Sequence, residues 1–228
     1  MNQIAFYLSH WQSWHPAWRS QSEQAVPLSL RRRMTSLGRD SLALAWDMVQ
    51  KNSNTPYYLF ASRHGDFERT YNMLNMLAAE NELSPADFSL SVHHALCGLL
   101  SIVTHNTNGH LALAAGCDTF GCALLEAALL LQEQPQREIL LVYYDSPLPP
   151  AYDSVGRTEE PVIAAAFLLS ATQTDRRAIA LQWMPRQQCT EAHATHSLAE
   201  SFIHFLENKE ENLWIIGERL CWNWRYQT

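Results

Sequence analysis

Charged side chains are scarce in this sequence. They make up 17% of its 228 residues, against roughly 25% in typical soluble domains. The formal net charge of -7 leaves no surplus of positive charge, and this argues against nucleic acid as a partner because phosphate binding needs a basic surface. One basic run, Arg31–Arg33, is interpreted as a solvated helix start, with a dock for an acidic protein as the alternative. The low charge, together with a heavy aromatic content, predicts unusual buried surface in the core or against a partner.

Familiar cofactor and metal motifs are also missing. The five cysteines have no pair at the close spacing of a zinc or redox motif. No Gly-x-Gly-x-x-Gly or phosphate loop is present, so nucleotide binding has no support. The adjacent His93 and His94 fall on different faces of a helix and are interpreted as packing or interface residues. We therefore predict no cofactor and no metal.

Long apolar runs are absent as well. The longest, Ala123–Leu131 and Val162–Ala171, are shorter than the roughly 20 residues that span a bilayer. The first ten residues lack the basic start of a secretion signal. We therefore predict a cytoplasmic protein without a membrane span.

Apolar strand patterns alternate with helical patterns along the first two thirds of the chain. This alternation predicts a single α/β domain over residues 1–228, with a mostly parallel sheet covered by helices. The predicted strands are Ile4–Ser9, Tyr57–Ser62, Leu111–Ala115, Ile139–Tyr144, Val162–Ala171, Ala178–Trp183 and Leu213–Ile216. The predicted helices are Ser29–Lys51, Phe67–Asn81, His94–Val103, Asp118–Gln132 and Leu198–Leu206. The strands over 162–171 and 178–183 are expected to pair with each other, and the strand over 213–216 is expected to be the last, at an edge.

Cys117 stands out among the possible nucleophiles. It lies between the strand Leu111–Ala115 and a long apolar helix, and Gly116 makes the tight junction. A strand–turn–helix elbow presents a nucleophile, and a helix N-terminus favours its thiolate. Asp118 opposes this effect, because a carboxylate beside a thiol disfavours the thiolate. The alternative is that Cys117 is a small hydrophobic residue without chemistry.

Ser91–Ala127, with its sequence Ala-Ala-Gly-Cys-Asp-Thr-Phe, resembles the nucleophile region of β-ketoacyl-acyl-carrier-protein synthases. In that alignment Gly98 falls on a helix glycine of the family and Cys117 on the condensing cysteine. Further segments resemble the short β-ketoacyl-synthase-like N-terminal domain proteins of aryl polyene gene clusters. These segments are Leu30–Met34, Phe60–Gly65, Leu83–His93 and Leu141–Pro149.

The resemblance implies a truncated thiolase-like fold, roughly the N-terminal half of a ketosynthase. It also implies a non-catalytic, chain-length-factor-like partner that forms a heterodimer with a full-length ketosynthase of a type II polyketide synthase. The acyl carrier protein would be reached through the ketosynthase. No residue is assigned a catalytic role. The residues expected at the acyl tunnel or the dimer interface are Leu111, Leu113, Ala115, Gly116, Cys117, Asp118, Phe120, His94 and Gly98.

The sequence departs from complete ketosynthases after Tyr152, where their two histidine-containing, glycine-rich motifs do not occur. His193, His196 and His204 lie in a polar segment and are interpreted as surface residues. Two alternatives stay open. In one, Cys117 is an acyl-accepting nucleophile of an active condensing subunit whose partner supplies the histidines. In the other, the chain is a stand-alone binding protein for acyl chains or carrier protein.

Overall fold

The computed structural model describes residues 2–14, 27–31, 34–52, 54–152, 162–172, 177–189, 193–194 and 197–227. Its strands are β1 (Asn2–Ser13), β2 (Tyr57–Ala61), β3 (His110–Leu113), β4 (Glu138–Asp145), β5 (Ile163–Ser170), β6 (Ile179–Pro185), β7 (His193–Ala194), β8 (Asn212–Ile216) and β9 (Leu220–Tyr226). Its helices are α1 (Leu28–Arg31), α2 (Ser36–Lys51), α3 (Phe67–Ala78), α4 (Pro85–Leu90), α5 (Ala95–Val103), α6 (Thr119–Glu133) and α7 (Leu198–Asn208).

The strands of the described residues form one sheet in the order β3-β2-β4-β5-β1-β6-β9-β8-β7. The α/β class and the helix-covered sheet are confirmed. The expectation of a mostly parallel sheet is corrected, because β2 is parallel to β3 and β4, and β7 to β8, while the other five pairings are antiparallel. Parallel neighbours need a crossover connection, and helices supply it here: α3 to α6 lie between the strands of the β2–β4 segment, and α7 lies between β7 and β8.

The N-terminal strand β1 lies inside the sheet, between β5 and β6. It is antiparallel to both, with Ala5 opposite Ala180 and Trp11 opposite Phe167. The expected pairing of β5 with β6 is therefore wrong. Their apolar patterns identified them as strands, but a pattern does not say which neighbour each strand takes.

The chain also ends differently from the prediction. The strand expected over 213–216 forms as β8, but β9 follows it and lies between β6 and β8. The turn at Gly217 joins the two strands in a tight hairpin, in which the Gly217 N–H donates to the Leu220 carbonyl at 2.8 Å. Strand β9 was not predicted from the sequence, so β8 is neither the last strand of the chain nor, with β7 beside it, the edge of the described sheet.

Side-chain caps decide where two helices begin. The helix expected over 29–51 is divided, and α2 starts after Thr35, whose hydroxyl accepts from the Gly38 N–H at 3.2 Å. The Ser84 hydroxyl accepts from the Asp87 N–H at 3.3 Å, and α4 starts after it. Both caps satisfy N–H groups that have no partner inside the helix.

A hydrophobic core lies on each face of the sheet. Helices α6 and α7 cover one face, where aromatic rings are concentrated, and α2 and α5 cover the other. The aromatic residues of the first core include Phe6, Phe120, Phe167, Phe202, Phe205, Trp222 and Trp224. No helix within the described ranges is long and apolar enough to cross a bilayer. Of the basic run 31–33, only Arg31 at the end of α1 is described, and Arg32 and Arg33 lie outside the described residues.

Candidate functional site

The elbow between β3 and α6 forms as the sequence predicts. Gly116 has a φ of +61°, a left-handed conformation that favours glycine. The Thr119 hydroxyl donates to the Gly116 carbonyl at 2.6 Å and accepts from the Ala115 N–H at 2.9 Å. These bonds fix the turn, and Cys117 is exposed at its tip.

A carboxylate from the far end of the chain caps this turn. The Cys117 backbone N–H donates to Glu218 Oε2 at 3.1 Å, and the Cys117 thiol also hydrogen-bonds to this carboxylate. The hydrogen bond from the Cys117 N–H is the largest cause that lowers the pKa of Glu218 below its ordinary value of 4.5. A Cβ on Gly116 would lie 2.7 Å from Glu218 Oε2, so this contact also requires glycine at position 116.

The position of Asp118 next to Cys117 suggested that its carboxylate acts on the thiol, but the structure gives it a different role. Its side chain is fully buried and accepts from the Arg219 N–H at 2.8 Å, Trp222 Nε1 at 2.9 Å and the Glu218 N–H at 3.2 Å. The hairpin turn approaches so closely that Gly217 has no room for a Cβ beside this carboxylate. Asp118 therefore anchors the β8–β9 turn to the elbow, and the carboxylate that meets the Cys117 thiol is Glu218.

Two arginines brace the same turn. Arg186 follows β6, and its N–H donates to the Arg219 carbonyl at 3.0 Å while its Nη1 lies 3.4 Å from the Gly217 and Glu218 carbonyls. The Arg219 guanidinium donates to the Ala115 carbonyl at 3.5 Å. The hairpin is thus connected to the elbow through Arg219 and to the end of β6 through Arg186.

The chemistry open to this elbow follows from that arrangement. A backbone N–H of the nucleophile residue commonly binds the oxyanion of a tetrahedral intermediate. In this structure the N–H of Cys117 is already bonded to a carboxylate. An ionised Glu218 disfavours a thiolate beside it, whereas the N-terminal end of the α6 dipole favours one. The guanidinium groups of Arg219 and Arg63 are also near enough to lower the pKa of Glu218. The geometry thus presents an exposed thiol next to a carboxylate in a cluster of charges.

Sequence reasoning missed Glu218, although a local signal existed. Three residues, Gly217 to Arg219, separate two runs rich in aromatic and β-branched residues, Asn212–Ile216 and Leu220–Tyr226, and such spacing indicates a hairpin. No local pattern in the sequence indicated which residue the tip of this hairpin would contact. Cys117 and Glu218 are 101 positions apart, and only the sheet brings them together.

Three of the described histidines, His94, His110 and His204, lie away from the elbow. The rings of His94 and His110 lie 4.5 Å apart, and His110 begins β3, whereas Cys117 follows its end. Partial burial, and then the nearby His110 and His93, lower the pKa of His94. His204 is exposed on α7 and contacts Glu210, as a surface residue would. The side chain of His193 and all of His196 lie outside what the structure describes.

Phe120 lies in the core of this chain. It is 1% exposed, and its ring contacts Tyr143, Phe167, Phe202 and Trp224 at centroid distances of 5.3 to 6.4 Å. The first turn of α6 directs this ring toward the sheet. Its place at an acyl tunnel or interface stays a prediction.

The other expected interface residues lie along one side of the molecule. Strand β3 is the edge of the described sheet and pairs with β2 alone among the described strands. Leu111 and Leu113 are half-buried on it, and Ala115 follows it. On the flanking helix α5, a Cβ at Gly98 would meet no atom within 4 Å. The β3 strand and its flanking helices are called the β3 edge below.

Exposed apolar side chains cluster near this edge. Ile102 on α5 is 70% exposed and Leu129 on α6 is 43% exposed, one on each side of the sheet. Helix α4 adjoins α5 and exposes Phe88, and α3, which adjoins α4, exposes Leu74 and Leu77. Exposed apolar side chains that form a large patch are typical of interaction sites.

Metal chemistry has no support in the described part of the chain, where no three His, Cys, Asp or Glu side chains converge on one point.

The thiols at the buried positions are also unsuited to ionisation. Burial is the main cause that raises the pKa of Cys97 to about 12 and that of Cys221 to about 12. Burial, followed by the charge of Asp118, raises the pKa of Cys122.

Known proteins share this fold. The solved complex of the ketosynthase ApeO with its chain length factor ApeC from Xenorhabdus doucetiae contains a chain that superposes with a TM-score of 0.79 at 24% identity, over 97% of this chain and 99% of that one. The ishigamide ketosynthase/chain length factor gives a TM-score of 0.57 at 12% identity, over 73% of this chain and 53% of that one. A β-ketoacyl synthase from Burkholderia phymatum STM815 gives 0.53 at 14% identity, over 80% and 55%. The chain thus spans about half the length of the last two, and the predicted truncated thiolase-like fold is confirmed.

Sequence comparison gives the family directly. No curated protein matches the sequence. The family described as β-ketoacyl synthase, N-terminal domain, matches residues 10–225, nearly the whole chain. The chain therefore belongs to the family of β-ketoacyl synthase N-terminal domains.

Proposed function

We propose that this chain is a non-catalytic, chain-length-factor-like subunit that pairs with a full-length ketosynthase of a type II polyketide synthase, of the aryl polyene kind. In this proposal residues 1–228 act as one cytoplasmic domain, and the acyl carrier protein is engaged through the ketosynthase. The ketosynthase supplies the condensing cysteine and histidines. The present chain stabilises it and contributes part of the wall of its acyl tunnel.

The capped elbow is the observation that carries the proposal. The Cys117 N–H donates to the Glu218 carboxylate. An acyl intermediate on Cys117 would need that same N–H to bind its oxyanion. Asp118 and the hairpin hold Glu218 in that place. A condensing site with a fixed carboxylate at its oxyanion position is poorly suited to condensation.

The β3 edge supports pairing with a second polypeptide. An unpaired edge strand offers its backbone N–H and C=O groups to another strand. Ile102 is exposed on α5, which packs against β3, and Leu129 is exposed on α6, which follows the elbow. A partner that extends the sheet at β3 would cover these apolar side chains at the same time, which combines directional hydrogen bonds with hydrophobic burial.

Replacing Cys117 by alanine tests the absence of catalysis. The chain and its cognate ketosynthase, identified by gene neighbourhood and co-purification, are combined with acyl and malonyl carrier protein. Because the thiol has no part in the proposed reaction, Cys117→Ala should retain at least roughly half of the wild-type condensation rate. Alanine at the condensing cysteine of the ketosynthase is the matched control and should abolish the reaction.

One observation favours a second candidate, an active condensing subunit. Cys117 is exposed and aligns with the condensing cysteine of the family. In that case a thioester forms on Cys117, and the partner supplies the histidines. Loss of condensation in Cys117→Ala with the heterodimer intact would favour this candidate and overturn the first.

Glu218 should suppress the reactivity of the Cys117 thiol. Glu218→Gln keeps the shape of the side chain but removes its charge, and it is expected to speed alkylation of Cys117 by iodoacetamide about threefold to tenfold at pH 7.5. A carboxylate near a thiol raises the thiol pKa by about one unit, so removing its charge increases the thiolate fraction. The less basic thiolate is also a weaker nucleophile, and this offsets part of the gain. Peptide-resolved mass spectrometry separates Cys117 from the four other cysteines.

The pH dependence of this effect has a defined sign. Because the pKa of Glu218 is lowered, its carboxylate is ionised above its ordinary value of 4.5, and its contribution is lost as pH falls through the lowered pKa. The difference between the two proteins should thus persist throughout the neutral range. Glu210→Gln, on the exposed surface beside His204, is the control and should leave the rate unchanged. Equal rates for Glu218→Gln and wild type would contradict the suppression.

A further inference from the structure

A second candidate site lies at the opposite end of the sheet from the elbow. There, a cleft of about 330 Å³ opens beneath the C-terminus of α7, on the face that carries the aromatic core. It reaches Ile179 at the start of β6, whereas the elbow hairpin meets the end of that strand at Leu220. Seven residues of strand, at roughly 3.3 Å each, separate the two sites by about 20 Å.

Unequal strand lengths create the cleft. Strand β1 is paired with β6 only over Asn2–Phe6 and then continues beside β5 as far as Ser13. From Leu8 onward, the edge of β1 on the β6 side therefore has no strand beside it among the described residues. Leu8 and Trp11 form one wall of the cleft, and Ile179 with Leu206 of α7 completes the apolar lining.

The mouth of the cleft carries an excess of positive charge. Arg177 is held by Glu211 through two hydrogen bonds of 2.9 Å, and its guanidinium lies 5.1 Å from the centre of the Tyr226 ring. This pair is neutral as a unit. Lys209 also lines the cleft and brings one further positive charge. The backbone of Lys209 is fixed, because it is the left-handed C-cap of α7 and its N–H donates to the Phe205 carbonyl.

We propose that this cleft binds a small monoanionic amphiphile, with its apolar chain against Leu8, Trp11 and Leu206 and its carboxylate near Lys209. The volume lies near the lower end of ligand sites, which are roughly 300–1,000 Å³. At roughly 30 Å³ for each water-sized group, it holds on the order of ten non-hydrogen atoms. A medium-chain carboxylate such as octanoate has that size and charge. The inference is independent of the proposed subunit function, because none of these residues belongs to the elbow or the β3 edge.

Isothermal titration of the whole chain with octanoate tests the proposal. Saturable binding with a Kd of about 1 mM or tighter is expected, and butyrate, with less apolar surface, should bind at least about tenfold more weakly. The uncharged 1-octanol should bind about threefold to tenfold more weakly than octanoate. Absence of saturable octanoate binding, or equal affinity for octanoate and 1-octanol, would overturn the assignment.

Lys209→Gly is the decisive variant. Glycine suits the φ of +52° at this position, so the substitution removes the ammonium group without straining the helix end. It should weaken octanoate binding about threefold to tenfold and leave 1-octanol binding unchanged. Lys51→Ala, at the end of α2 and outside the cleft, is the matched control and should bind octanoate like wild type. Equal octanoate affinity in Lys209→Gly and Lys51→Ala would refute the role of Lys209 and with it the anionic ligand.

Discussion

Replacing Ala112 by proline is expected to abolish co-purification of this chain with its ketosynthase, reducing the recovered complex more than about tenfold. The carbonyls of Gly109 and Leu113 accept from β2, so alternate residues of β3 face that strand and Ala112 faces outward. Proline at position 112 removes an outward N–H and leaves the bonds to β2 in place. The experiment is tandem-affinity purification of the co-expressed pair.

Ala112→Val is the matched control, because it keeps the N–H and favours a strand. It should co-purify with the ketosynthase as wild type does. Circular dichroism of Ala112→Pro, purified alone, must show the wild-type content of secondary structure, since only then does loss of the complex report on the interface. A folded Ala112→Pro chain that still binds the ketosynthase would show that β3 does not pair across the interface.

Asp118→Ala is expected to lower the free energy of unfolding by about 3 kcal/mol. The Asp118 carboxylate is fully buried and accepts three hydrogen bonds, one of them from the Nε1 of the buried Trp222. Hydrogen bonds to charged groups contribute about 1.5–3 kcal/mol, and a buried donor left without an acceptor costs about 1–3 kcal/mol. Water can replace the acceptor at the hairpin tip but not at the buried indole. Urea denaturation followed by tryptophan fluorescence measures the change.

Two further variants separate the buried contact from a general effect of removing charge. Asp118→Asn keeps one oxygen acceptor and should lose less stability than alanine. Glu210→Ala removes the carboxylate of the exposed contact with His204 and should cost less than about 1 kcal/mol. A loss below about 1 kcal/mol in Asp118→Ala itself would show that the hairpin does not depend on this anchor.

Local patterns in the sequence were sufficient for the individual elements near the elbow. The apolar run before Gly116 and the apolar helix after it predicted β3, the turn and α6, and the structure confirms them. Such features depend on neighbouring residues: a strand end, a glycine that accepts a positive φ and an amphipathic helix. The capping serine of α4 was predictable for the same reason, since its partner Asp87 is three residues away.

The face on which a side chain lies was harder to predict. Phe120 and Cys117 are three residues apart at the start of α6, yet one is buried in the aromatic core and the other is exposed. The helical pattern here is apolar on most sides, so its periodicity does not select a face. The packing of Phe202 and Trp224, from α7 and β9, makes that choice.

The sequence by itself determined the α/β class, most of the strands and helices, and the elbow that presents Cys117. The tertiary structure alone decided that β1 separates β5 from β6, that most strand pairs are antiparallel, and that Glu218 rests on the Cys117 N–H. The physical reason is the range of the interactions. Contacts between strands and at the hairpin join segments that are far apart in the chain, 101 residues in the case of Cys117 and Glu218. Such contacts depend on which apolar faces and buried polar groups fit together in the assembled sheet.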